Sequence, residues 1–118
     1  MLILGVDPGL ERVGYGLVRR EGSKLTPVRF GLIETPRILL PDRLRMIYEQ
    51  LGLLMQETNP DAMATERLMF SVNRKTAMDV AKGLGVILLA GAQRGLPTIE
   101  YTPPEIKLAV VGTGAADK

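Results

Sequence analysis

The 118-residue chain has no cysteine and no histidine. Without cysteine there can be no disulfides, no thiolate-bound zinc and no thiol nucleophile. That absence is compatible with a reducing cytosol, and the cytoplasm is the expected location. Without histidine, Ser-His-Asp and Cys-His catalysis are excluded, and so is any imidazole metal ligand. Long apolar runs are missing too, so no segment reads as a bilayer span and no membrane association is expected. The opening MLILGVDPGL has no basic n-region or small-residue cleavage site, and Asp7 interrupts its apolar stretch early, which argues against a signal peptide. Repeats, low-complexity tracts and linkers are absent, and the length suits one compact domain.

Chemistry must therefore rest on carboxylates, lysines, hydroxyls and bound metal ions. The basic residues are mostly arginine, 10 against 5 lysines, and arginine suits phosphate contact. A net charge of +2 and a pI near 9.2 permit nucleic-acid binding without requiring it.

Along the chain, Leu2 to Val6 is a short apolar run that fits a buried strand. Asp7-Pro8-Gly9 reads as a turn, because Pro8 fixes φ and Gly9 permits positive φ. Val13 to Arg19 and Leu25 to Glu34 read as two further strands joined by a hairpin at Glu21–Lys24. Thr35 to Pro41 is a proline-bounded loop. Asp42 opens a helix with Leu44, Ile47, Leu51, Leu54 and Met55 on one apolar face, stopped at Asn59-Pro60. Asp61 to Thr65 is the next strand and ends at Glu66. Leu68 to Val72 is a loop. Asn73 caps a second helix that reaches about Arg94 and stops at Gly95. Pro97 to Tyr101 is a fifth strand, Glu105 to about Val110 a third helix, and a fourth helix begins near Ala115. The order β-β-β-α-β-α-β-α gives an α/β chain with an antiparallel meander first.

Asp7 and Glu66 stand out because each follows an apolar strand. If those strands are neighbours, both carboxylates project at one sheet edge, where ligand sites of open α/β sheets lie. Two facing carboxylates repel unless a cation joins them. With no histidine, a hard oxygen-liganded ion such as Mg²⁺ or Mn²⁺ suits them. An acidic residue after a strand can equally be a turn former or helix cap, and the pattern alone leaves both readings open.

Several blocks resemble one family. Leu4-Gly5-Val6-Asp7-Pro8-Gly9 with Val13-Gly14-Tyr15-Gly16 is similar to the opening of the RuvC-type Holliday-junction resolvases. The resemblance continues through Pro41-Asp42-Arg43-Leu44, Ile47-Tyr48, Pro60-Asp61, Ala64-Thr65-Glu66, Asn73, Gly83-Leu84-Gly85-Val86, Tyr101, Ile106-Lys107 and Val111-Gly112-Thr113-Gly114, covering essentially the whole chain. It implies a ribonuclease H-like mixed sheet, with the three-strand meander joined by parallel strands and flanked by helices. It also implies an endonuclease that resolves four-way DNA junctions by paired symmetric nicks in recombination and repair. Asp7 and Glu66 match two of four positions that, in the family, hold two Mg²⁺ ions per site, with Mn²⁺ as a possible substitute. Such ions, roughly 3.5–4 Å apart, serve the attacking water and the departing oxygen of one displacement. The third and fourth positions lie on a later helix of the family, and this sequence ends at Lys118. A fragment of residues 1–118 with half the metal shell is expected to bind Mg²⁺ weakly and to cut poorly.

The same resemblance places bulky side chains that approach bases in the loop after Glu66, here Met69 and Phe70, and leaves open which of them is the wedge. A covering role over the sheet is the alternative for Phe70. Arg74 and Lys75 precede the second helix, and the match makes Lys107 and Lys118 phosphate contacts; without it, a surface lysine reads as a solvated charge. Gly112 and Gly114 could bring backbone N–H groups to a phosphate. Gly14 and Gly16 either bring the second strand close to DNA or metal, or allow tight packing. The second helix is apolar on more than one face and rich in small residues. Ala77, Ala81, Leu84, Gly85 and Leu88 are therefore candidates for the family's two-fold homodimer interface; burial inside a monomer is the other reading. RuvA and RuvB are the protein partners that the resemblance implies.

Three other functions compete. A non-catalytic junction-binding module would lack cleavage in Mg²⁺. A nuclease of the YqgF type shares the early aspartate but not the later blocks. An actin-like or sugar-kinase ATPase would need a phosphate loop that Glu21-Gly22-Ser23-Lys24 does not supply.

Overall fold

The computed structural model describes residues 1–9, 11–66 and 74–101. The elements are β1 (Leu2–Asp7), β2 (Arg12–Glu21), β3 (Lys24–Glu34), α1 (Leu40–Thr58), β4 (Ala62–Glu66), α2 (Arg74–Gln93) and β5 (Thr98–Tyr101). They form one sheet in the order β3-β2-β1-β4-β5. The first three strands are antiparallel neighbours, and β4 and β5 add in parallel to β1. This is the mixed sheet expected from the sequence. The expected third and fourth helices lie outside the described residues.

Alternation along the strands divides the sheet into two faces. Leu4 and Val6 of β1, Val13 and Leu17 of β2 and Met63 of β4 turn to one side. There they meet Ile47, Leu51, Leu54 and Met55 of α1 and Ile87 and Ala90 of α2, and together these residues are the core. Ile3, Gly5 and Asp7 turn to the other side.

α1 begins two residues before Asp42, with Pro41 in its first turn. Proline fits there because the missing N–H is one that a first turn leaves unpaired anyway. The helix ends at Asn59, a left-handed residue with φ 51° whose N–H donates to the Met55 carbonyl. The buried stripe of α1 begins at Arg43, not at Leu44: Arg43, Ile47, Leu51, Leu54 and Met55 are its buried residues. α2 stops before Gly95, which has φ 71°, as expected.

Candidate active site

The site is built from backbone register. β1 and β4 run parallel with Gly5 beside Ala64 and Val6 beside Thr65. One step further sets position 7 beside position 66, the last residue of each strand. Paired positions on adjacent parallel strands share a face, and neighbouring strands lie about 4.8 Å apart. The two positions singled out in the sequence thus share one edge and one face of the sheet.

The β1–β2 connection holds Asp7 on a stiff stem. A Cβ on Gly9 would collide with the Arg12 carbonyl, so only glycine lets the chain turn this tightly. On the other side of β1, Asp7 pairs with Gly14. Among the described residues, no donor or cation partners the Asp7 carboxylate. Solvent reaches its side chain, yet the surrounding protein displaces enough water to push its carboxyl above the ordinary carboxylate range, because partial desolvation penalises the charged form. An unpaired, partly desolvated carboxylate beside a second carboxylate position is relieved by a cation. Two oxygen-donor positions with no imidazole or thiol in the chain fit a hard divalent ion. Among the described residues, no cluster of three or more metal-ligating side chains forms, so the pair is at most part of a shell.

Behind Asp7, the described residues of the same face line a hollow of about 560 Å³, with Ile3, Gly5, Gly14, Gly16, Val18, Phe30 and Ala64 in its lining. The row Phe30–Gly16–Gly5–Ala64–Ile99 crosses all five strands in register. Three small residues in its middle make a trough, and the Phe30 ring lies so close over Gly16 that a Cβ there would meet it at 2.8 Å. For Gly16 this favours the tight-packing reading.

The other candidates separate. Met69, Phe70, Lys107, Lys118, Gly112 and Gly114 lie outside the described residues. Arg74 is the first residue of α2. On α2, Leu84 is buried within the chain itself, while Ala77, Ala81 and Leu88 are half-buried and Gly85 is exposed. The outward stripe also carries exposed Met78 and Leu89. The burial of Arg43 was missed in the sequence. Its spacing of four before Ile47 was the available signal, since that spacing puts a charge in the apolar stripe.

A family model described as crossover junction endodeoxyribonuclease RuvC matches residues 3–118. The chain belongs to the RuvC family. The RuvC of Syntrophomonas wolfei is 46% identical over 119 residues, which cover all of this chain and 69% of that protein. For the RuvC of Halothermothrix orenii the identity is 47%, over all of this chain and 72% of that one. The structure of T. thermophilus RuvC in complex with Holliday junction substrate superposes with a TM-score of 0.83 at 27% identity, covering 94% of this chain and 72% of that one. The yeast mitochondrial Holliday junction resolvase Ydc2, at 17% identity and a TM-score of 0.59, shares the fold. The sheet is thus the ribonuclease H-like sheet of RuvC, and nucleases of this family depend on a divalent metal. No described helix is long and apolar enough to cross a membrane.

Proposed function

We propose that this RuvC-family chain is an endonuclease that resolves four-way DNA junctions by paired symmetric nicks, serving recombination and repair. The observation that supports the reading is the parallel β1–β4 register, in which Val6 pairs with Thr65 one residue before Asp7 and Glu66, the last residues of their strands.

In this reading Asp7 and Glu66 hold Mg²⁺, or Mn²⁺ in its place, and residues outside those described complete the shell. When bound, the metal supplies Lewis acidity at the scissile phosphate and activates water. The protein's own residues do the rest. The stiff Asp7-Pro8-Gly9 stem fixes one carboxylate before metal arrives, so little reorganisation is needed at binding. The carboxylates require the metal to offset their repulsion of DNA phosphate. Arg74, Lys107 and Lys118 are proposed phosphate contacts, and Met69 or Phe70 the base-contacting wedge.

The outward stripe of α2 is the proposed homodimer face, which would place two sites on one junction. Among the described residues, and apart from its chain neighbours and its own helix backbone, no atom lies within 4 Å of where a Gly85 side chain would begin. Gly85→Arg should therefore leave the monomer folded and dissociate the dimer in sedimentation velocity; a dimer of unchanged affinity would move the interface elsewhere. RuvA and RuvB are the proposed branch-migration partners, and the cytoplasm the proposed location.

The test is a strand-labelled four-way junction incubated with protein of the length of the curated relatives. Mg²⁺ should give symmetric paired nicks. Asp7→Asn and Glu66→Gln should bind the junction in Ca²⁺ and leave it uncut. Cleavage retained by Asp7→Asn would remove that carboxylate from the mechanism. Binding without cleavage by the parent protein in Mg²⁺ would favour a non-catalytic module.

A further inference from the structure

Arg43 is 9% exposed, yet no carboxylate lies within ion-pair distance of it among the described residues. Its hydrogen bonds go to one neutral residue: Nε donates to Thr35 Oγ1 at 3.0 Å, and Nη2 donates to the Thr35 carbonyl at a long 3.4 Å. A buried guanidinium without a counter-charge is costly, and an apolar side chain of similar volume is often neutral or better in such a place. Packing therefore does not account for an arginine in the stripe where α1 otherwise presents Ile47, Leu51 and Leu54.

Its position does. Thr35 directly follows β3, whose end lies at the same sheet edge as Asp7, since Asp7 pairs with Gly14 and Gly14 with Leu32. The Thr35 N–H donates to the Glu11 carbonyl at 3.0 Å. Glu11 precedes Arg12, whose carbonyl is the atom packed against Gly9. A connected path therefore runs from the buried guanidinium through Thr35 and the backbone of Glu11 and Arg12 to the tight turn beneath Asp7. Every link is a hydrogen bond or a van der Waals contact, so a shift at Thr35 reaches the Asp7 stem.

We propose that Arg43 is a positioning residue for the candidate metal site: acting through Thr35, it braces the β1–β2 turn so that Asp7 is held ready for the cation. Arg43 touches neither substrate nor metal. The metal arm of this inference rests on the function proposed above; the bracing arm does not.

The test uses protein of the length of the curated relatives and two readouts besides cleavage. Hydrogen exchange of the amides of Arg12–Gly14 in metal-free protein reports the turn, and calorimetric Mn²⁺ titration reports the site. Arg43→Met should keep or raise the melting temperature while exchange at the turn quickens by about tenfold, a local opening rather than a global one. The Mn²⁺ dissociation constant should rise about threefold to tenfold, the scale on which outer positioning partners act. Thr35→Val should do the same, Thr35→Ser should retain parental behaviour, and the double variant Arg43→Met with Thr35→Val should be no worse than either, as members of one path are not additive. If Arg43→Met does not fold, the Thr35→Val and Thr35→Ser pair decides. A uniform rise in exchange with a lower melting temperature, or turn exchange and Mn²⁺ affinity both unchanged, would overturn the proposal. If Asp7→Asn binds Mn²⁺ as the parent does, the metal reading fails, while the exchange comparison still judges the brace.

Discussion

On one face of the sheet Leu4, Val6, Val13, Leu17 and Met63 are sealed beneath α1 and α2. On the other, the same strands present Ile3, Gly5, Asp7, Gly16 and Ala64 to a hollow that no described helix covers. Residues one step apart in sequence thus serve opposite purposes. The sealed face gains its stability from area removed from water, and on the other face no described donor or cation partners the Asp7 carboxylate. β1 shows the difference most sharply, since Val6 is buried in the core and Asp7, the next residue, is exposed.

The largest expected break in that comparison is functional. In protein of the relatives' length, Asp7→Asn should reduce junction cleavage to background in a Mg²⁺ nicking assay while the fold persists. On the sealed face the loss should be structural. Leu51, fully buried, should cost about 2–5 kcal/mol when cut to alanine, by lost transfer energy and the cavity left behind. In a urea titration of both variants, Phe30→Ala on the other face, where Phe30 is 46% exposed, should cost clearly less.

A smaller effect tests the cost of keeping Asp7 ready. Its carboxyl is raised in the folded state by desolvation, so the folded protein holds that proton more tightly than the unfolded chain. Its ionised form therefore destabilises the fold above the raised value. That cost disappears as pH falls through the raised value toward the unfolded one. Asp7→Asn should thus raise the melting temperature at neutral pH, with the gain shrinking on acidification; a gain independent of pH would contradict this. The smallest expected effect is at Thr65. Its Oγ1 is buried with no hydrogen-bond partner among the described residues, and Thr65→Val should stabilise by about 1 kcal/mol, the desolvation cost of an unmet hydroxyl.

Most of this architecture was legible in the sequence. The apolar runs, the Glu21–Lys24 hairpin and the helical spacing from Ile47 to Met55 are local signals, and local signals set these elements. Asp7 and Glu66 were legible as strand-end acids, but their adjacency depends on β4 pairing parallel to β1, a long-range fact that no window of sequence contains. Arg43 went unread because charge outweighed spacing: its position in the helical period marked it as inward, while its side chain argued for solvent. The start of α1 was misplaced by two residues because Asp42 drew attention from Pro41, which is at home in a first turn. The row of small residues across the open face was equally out of reach, since Gly5, Gly16 and Ala64 are brought together only by strand order.

The central claim is that Asp7 and Glu66 jointly hold one divalent cation. Calorimetric titration of Mn²⁺ into the parent protein of the relatives' length, into Asp7→Asn and into Glu66→Gln tests it most directly. The account predicts that either substitution alone weakens binding about tenfold or more, since each removes one of two neighbouring charged ligands. Parental affinity in either variant would contradict it.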